Sequence, residues 1–170
     1  MTRGLLKLVF AAVSFAAAGI AGAAELKAAN GARAPALALK ELNGTAHDLA
    51  RYRGKVVLVN FWATWCEPCR DEMPSIQRLR DKLAGQPFAV LAVNVDEPAS
   101  RVSAFLEKTK LDLTVVLDPG KSVTKAWNAR ILPASYIVGR DGRVRYSVTG
   151  DIDWGDARVL KIMADLMRGA

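Results

Sequence analysis

The segment from Val56 to Pro74 reads VVLVNFWATWCEPCRDEMP. Its first half, with Lys55 ahead of it, is a β-branched and apolar run through Phe61, the pattern of a strand covered on both faces. The second half turns charged. Residues 66–84 read as a helix, with Ile76, Leu79 and Leu83 at i, i+3 and i+7 and Gly85 as its stop. Cys66 and Cys69, the only two cysteines of the chain, sit where the strand ends and the helix begins. The first N–H groups of a helix have no internal partner, and their dipoles sum to a partial positive charge. A thiolate at Cys66 is stabilised there, which predicts a nucleophile with a lowered pKa. Pro68 suits the first turn, where a missing N–H costs nothing. Cys69 lies one turn on along the same face, less exposed and placed to resolve a mixed disulfide formed at Cys66.

Outward from this junction the chain alternates strands and helices. Upstream, PALALKELNGTAHDL contains Asn43-Gly44, a hairpin turn between short strands near 36–40 and 46–49. Residues 50–54 read as a turn or brief helix. Downstream, 88–95 is a second buried strand, 99–109 a helix and 113–117 a short strand. Residues 119–127 read as helical. Segments 131–138 and 143–149 flank Asp141-Gly142 as another hairpin, and 155–168 closes the chain with Val159, Ile162 and Leu166 on one stripe. The order predicts an α/β domain with central parallel strands and an antiparallel hairpin at the edge.

The chain has 170 residues, 51% hydrophobic and 24% charged, which suits one globular domain. Residues 1–23 have the layout of a secretory signal peptide: Arg3 and Lys7, an apolar run from Leu8 to Ile20, then Ala21-Gly22-Ala23. The alternative is a retained membrane anchor, since Leu8 to Ala24 is at the short end of what spans a bilayer. Either way the domain, 35–170 after a lead-in of 24–34, is expected to be exported, to the periplasm in a bacterium. There disulfides form readily. Of 24 basic and 17 acidic residues, removal of Arg3 and Lys7 leaves a net +5. That excess forms no run, so it reads as a solvated surface and not as a nucleic-acid site.

Several chemistries fit two closely spaced cysteines. Stapling is a poor one, because a three-residue loop removes little unfolded-state entropy. A zinc site needs four ligands, and the chain offers two cysteines and His47, which reads as a surface residue; no metal site is expected. A copper-binding chaperone would use the soft sulfurs. A peroxidase of peroxiredoxin type would use Thr64, which stands two residues before Cys66 where three are wanted.

VVLVNFWATWCEPCRDEMP, with an ILPAS whose Pro133 follows Cys69 by 64 residues, resembles the thioredoxin-fold proteins, and more closely the exported TlpA/ResA/DsbE group of thiol:disulfide oxidoreductases within the AhpC/TSA–redoxin family. The resemblance runs from about Pro35 to the C-terminus. It implies a thioredoxin-like fold: a central mixed sheet flanked by helices, with an N-terminal β-hairpin extension and an inserted α/β segment. It implies Cys66 as nucleophile, Cys69 as resolving thiol and Pro74 within the active-site helix. It also implies a cis Pro133 beside the cysteines, with Trp65, Leu132 and Pro133 holding an extended client peptide. No cofactor is implied beyond the redox-active Cys66–Cys69 disulfide. Thioredoxins proper have an Asp where Asn60 stands; the exported group has a Glu after the motif, matched by Glu72, whose pKa should rise on burial and which could exchange protons with the thiols. Relatives usually carry Asp where Gly139 stands.

The direction of electron flow is legible in Glu67-Pro68. A carboxylate beside Cys66 disfavours the thiolate, whereas strong oxidants stabilise it. Glu67 and Glu72 therefore argue for a reductase of protein disulfides. The resemblance then implies a membrane thiol transporter of DsbD/CcdA kind as electron donor. It implies clients whose paired cysteines await haem or copper, such as apocytochrome c or copper-site proteins. A monomer is expected.

Overall fold

The computed structural model describes residues 24–169; the expected signal segment, 1–23, lies outside them. Eight strands form one mixed sheet: β1 (Lys27–Ala28), β2 (Ala38–Glu41), β3 (Ala46–Asp48), β4 (Val56–Trp62), β5 (Phe88–Val95), β6 (Val115–Asp118), β7 (Ala134–Val138) and β8 (Val144–Thr149). Their spatial order is β1-β8-β7-β4-β5-β6-β2-β3. Among the described residues four α-helices flank it: α1 (Glu67–Lys82), α2 (Ala99–Thr109), α3 (Ser122–Ala126) and α4 (Ala157–Arg168). The order matches the sequence reading, with one addition. The lead-in contributes β1, which pairs Lys27 with Ser147 and Ala28 with Tyr146 on the outer edge of β8.

Strand β4 shows why the run is apolar throughout. Alternate side chains point to opposite faces. Val56 and Leu58 join Ile76 and Leu79 of α1, its C-cap Leu83, and Val159, Met163 and Met167 of α4 on one face. Val57, Val59 and Phe61 join Leu37, Leu49, Val123 and Trp127 on the other. Strands β4, β5 and β6 are parallel neighbours, so α1 and α2 are the crossovers between them. The stripe of α4 is centred on Val159, Met163 and Met167, while Ile162 and Leu166 are only partly buried against it. The flexible methionines take the centre of the contact, which a count of branched side chains does not foresee.

Both hairpins form at the foreseen turns. Gly44 has φ 85° and Gly142 φ 72°, backbone states in which a Cβ is strained. The N-terminal hairpin pairs β2 with the outer edge of β6. The C-terminal hairpin pairs β7 antiparallel to β4, which brings residues 131–134 to the end of the sheet where β4 runs into α1. Gly139 has a packing reason: a Cβ there would stand 3.0 Å from Arg145 Nε and 3.1 Å from Asp141 Oδ1. Arg145 lies across this glycine and donates to Asp141 Oδ2 at 2.8 Å, so an acidic side chain at 139 would displace that pair.

Candidate active site

Cys66 is the N-cap of α1, and its sulfur accepts the Cys69 backbone N–H at 3.3 Å. Cys66 and Cys69 are joined by a disulfide. Both residues are buried, Cys69 completely and Cys66 with 5% of its surface exposed, so Cys66 is the more accessible member of the pair. Glu67 is exposed in the first turn, and Pro68 occupies the second helical position. Pro74 lies inside α1, which runs through it without the N–H that would bond the Arg70 carbonyl.

Glu72 follows Cys69 by one turn and is 3% exposed. Side chains at i and i+3 share a helix face, about 5–6 Å apart at Cβ. Asn60 Nδ2 donates to Glu72 Oε1 at 2.6 Å. On the other oxygen, Trp154 Nε1 donates at 3.3 Å and the Ile152 N–H at 3.4 Å. Burial pushes the Glu72 carboxyl from 4.5 up to about 7, and these three donors only partly oppose it. Asn60 also donates to Ser135 Oγ at 2.9 Å, and its own Oδ1, buried, has no partner among the described residues. That spare oxygen matters. A half-turn of the Asn60 amide would let it accept a proton-bearing Glu72, so the pocket can accommodate both protonation states.

The loop between β4 and α1 is held from the side by Glu97, just past the end of β5. Its side chain is 3% exposed. It accepts the Thr64 N–H at 2.7 Å, the Thr64 hydroxyl at 2.6 Å and Asn94 Nδ2 at 2.8 Å. The Thr64 hydroxyl is thus engaged away from the cysteines, unlike the peroxidase arrangement. Sequence reasoning missed Glu97, Asn94 and Trp154. The available signal was Asn94, a polar residue inside an apolar run and completely buried, which must find a partner nearby.

The Leu132–Pro133 bond is cis. Leu132 packs against the cluster that contains both cysteines, and Trp65 and Ile131, 64% and 66% exposed, are two of the three exposed large apolar side chains among the described residues. The Leu132 N–H and carbonyl make no hydrogen bond among the described residues. The structure therefore brings Trp65, Cys66, Cys69, Glu72, Leu132 and Pro133 to one end of the sheet. His47 is elsewhere. It is half-buried, not on the surface as expected, with Nδ1 at 2.5 Å from Tyr52 Oη and Nε2 at 2.5 Å from Glu41 Oε1. Among the described residues no group of three or more His, Cys, Asp or Glu is arranged to hold a metal ion.

The AhpC/TSA family model matches residues 30–147. The chain is 40% identical over 120 residues to the thiol-disulfide oxidoreductase ResA of Geobacillus kaustophilus, covering 71% of this chain and 69% of that one. To ResA of Bacillus subtilis it is 31% identical over 147 residues, 86% and 82% of the two chains. Among solved structures, one assigned as a DsbE-type thiol:disulfide interchange protein of Chlorobium tepidum aligns with TM-score 0.75 and 27% identity, over 83% of this chain and 99% of that one. A secreted thiol-disulfide isomerase of Corynebacterium glutamicum aligns with TM-score 0.70 and 25% identity, over 79% and 84%.

Proposed function

This chain belongs to the AhpC/TSA family as a thioredoxin-like thiol:disulfide oxidoreductase of the TlpA/ResA/DsbE group, and from that premise we propose that it is an exported reductase of protein disulfides. The reduced protein attacks a client disulfide with Cys66, forming a mixed disulfide. Cys69 then attacks the Cys66 sulfur, which releases the client as a dithiol and leaves Cys66–Cys69 oxidised. One electron pair passes to the client. Glu72 takes the proton from Cys69 as that thiol becomes nucleophilic and returns it when the pair is reduced again.

The observation that carries this reading is the Glu72 carboxyl, buried one turn past Cys69 with a pKa of about 7. A group that titrates near neutrality beside a sheltered thiol suits proton exchange in both half-reactions. An acidic neighbour, with Glu67 in the first turn, also disfavours accumulation of thiolate and so favours the oxidised form of the pair. The client lies extended along Leu132, whose open N–H and carbonyl can receive it as an added strand, with Trp65 beside the attacked disulfide.

In an oxidising compartment such a reductase depends on electrons carried across the membrane, by a thiol transporter of DsbD/CcdA kind. Its clients are proteins with paired cysteines that must be reduced before haem or copper is inserted. The test is the direction of exchange with an oxidised C-x-x-C peptide in a dithiol–disulfide equilibrium. Reduced protein should pass its electron pair to the peptide; an equilibrium that leaves the peptide oxidised and the protein reduced would make it a donor of disulfides instead.

A further inference from the structure

Beside the disulfide runs a groove of about 480 Å³ between the start of α1 and the segment that joins β6 to β7. Trp65, Ala129 and Leu132 supply its apolar surface, and Lys121, Lys125 and Arg130 its charge. The three cations are not equivalent. Lys121 is paired with Asp96 at 3.5 Å. Lys125 and Arg130 are exposed and have no carboxylate partner among the described residues. Arg130 is also oriented: its Nε donates to Asn128 Oδ1 at 2.7 Å. That bond occupies one edge of the guanidinium and leaves the terminal nitrogens, the part of the group that grips a carboxylate.

Arg130 stands two residues before Leu132, where the client strand is read to lie. Two residues of extended chain span about 6.6 Å, so a side chain within a few positions of the attacked cysteine can reach it. We propose that this groove selects clients in which the cysteine pair is flanked by acidic residues, one carboxylate being taken by Arg130 and a second steered by Lys125. The proposal rests on the reductase reading and adds to it a preference that the disulfide chemistry alone does not impose. Opposite charges at the edge of a site act mainly on the rate of encounter and weaken as salt rises.

The experiment is a single turnover. Reduced protein is mixed with either of two oxidised C-x-x-C peptides that differ only in having Glu or Lys at the second and third positions outside the pair, and tryptophan fluorescence follows the oxidation of Cys66–Cys69. At low salt the Glu peptide should react roughly tenfold faster than the Lys peptide, and at high salt the ratio should fall towards one. The double variant Lys125→Glu with Arg130→Glu should reverse the preference. A gain for the Lys peptide cannot come from misfolding. Equal rates for the two peptides at low salt overturn the proposal and leave the reductase intact. Failure to reduce either peptide overturns both readings.

Discussion

Replacing Glu72 by Gln should make the protein's stability less dependent on pH, in a direction and by an amount that follow from the burial of this carboxyl. Its folded pKa is about 7 against 4.5 unperturbed. The folded state therefore binds this proton more tightly than the unfolded state, and the group's contribution to stability is fully present below pH 4.5 and is lost as pH rises through 7. At about 1.4 kcal/mol per pH unit, the loss is on the order of 3 kcal/mol once the carboxylate is fully charged. Gln has the same shape and no charge. Its oxygen can accept from Trp154 and Ile152, while its NH2 can face Asn60, whose unpartnered Oδ1 is one half-turn away. Urea unfolding of the oxidised proteins should give nearly equal stabilities at pH 4. By pH 8.5 the Gln variant should be the more stable, by a difference approaching 3 kcal/mol. The same variant should lose the inflection near pH 7 in the rate of disulfide exchange. A stability difference that stays constant from pH 4 to 8.5 would refute the reasoning, because Glu72 would then not titrate in that window.

Three further outcomes follow from the site. Cys66→Ala should abolish disulfide exchange, whereas Cys69→Ala should accumulate mixed disulfides at Cys66, as read by mass spectrometry under non-reducing conditions; faster alkylation of Cys69 than of Cys66 in the reduced protein would reverse their roles. Glu97→Ala leaves the Thr64 N–H, the Thr64 hydroxyl and Asn94 without their shared acceptor. It should cost at least about 2 kcal/mol, since each bond to a charged group is worth roughly 1.5–3 kcal/mol, and should slow exchange while leaving the pH profile in place. Glu67→His removes an acidic neighbour from the first turn and should lower the Cys66 pKa and raise the potential by some tens of mV, about 30 mV for each 1.4 kcal/mol of preferential stabilisation of the reduced pair. Alkylation rate against pH and the redox equilibrium measure the two effects separately.

The parts of this molecule that were legible in its sequence are those set by local rules. The buried strand β4, the helix that Cys66 caps and the turns at Gly44 and Gly142 each follow from periodicity or backbone preference within a few residues. The thioredoxin-like frame and the cis bond before Pro133, at the end of the sheet where β4 runs into α1, came from the resemblance of two separated motifs, which no local rule links. What stayed hidden are pairings at long range. Asn60 and Trp154 donate to Glu72 from a strand and a loop, up to 82 positions apart, and Ser135 joins them only through Asn60, while Glu97 reaches back 33 residues to Thr64. Nothing in their neighbours along the chain says which buried polar group each one satisfies. The Gly139 substitution is similar: its reason is the Arg145 side chain lying across it, visible only once β8 folds back on β7.

The reduction potential of the Cys66–Cys69 couple tests the central claim most directly. Equilibration of the protein with dithiothreitol at pH 7, read by Trp65 fluorescence and checked against Trp65→Phe because Trp62, Trp127 and Trp154 also emit, gives the value. A reductase held to its task by Glu67 and Glu72 should lie near the roughly −270 mV of thioredoxin. A potential above about −180 mV, the range of protein disulfide isomerase and the strong periplasmic oxidant, would contradict the account and make this protein a source of disulfides.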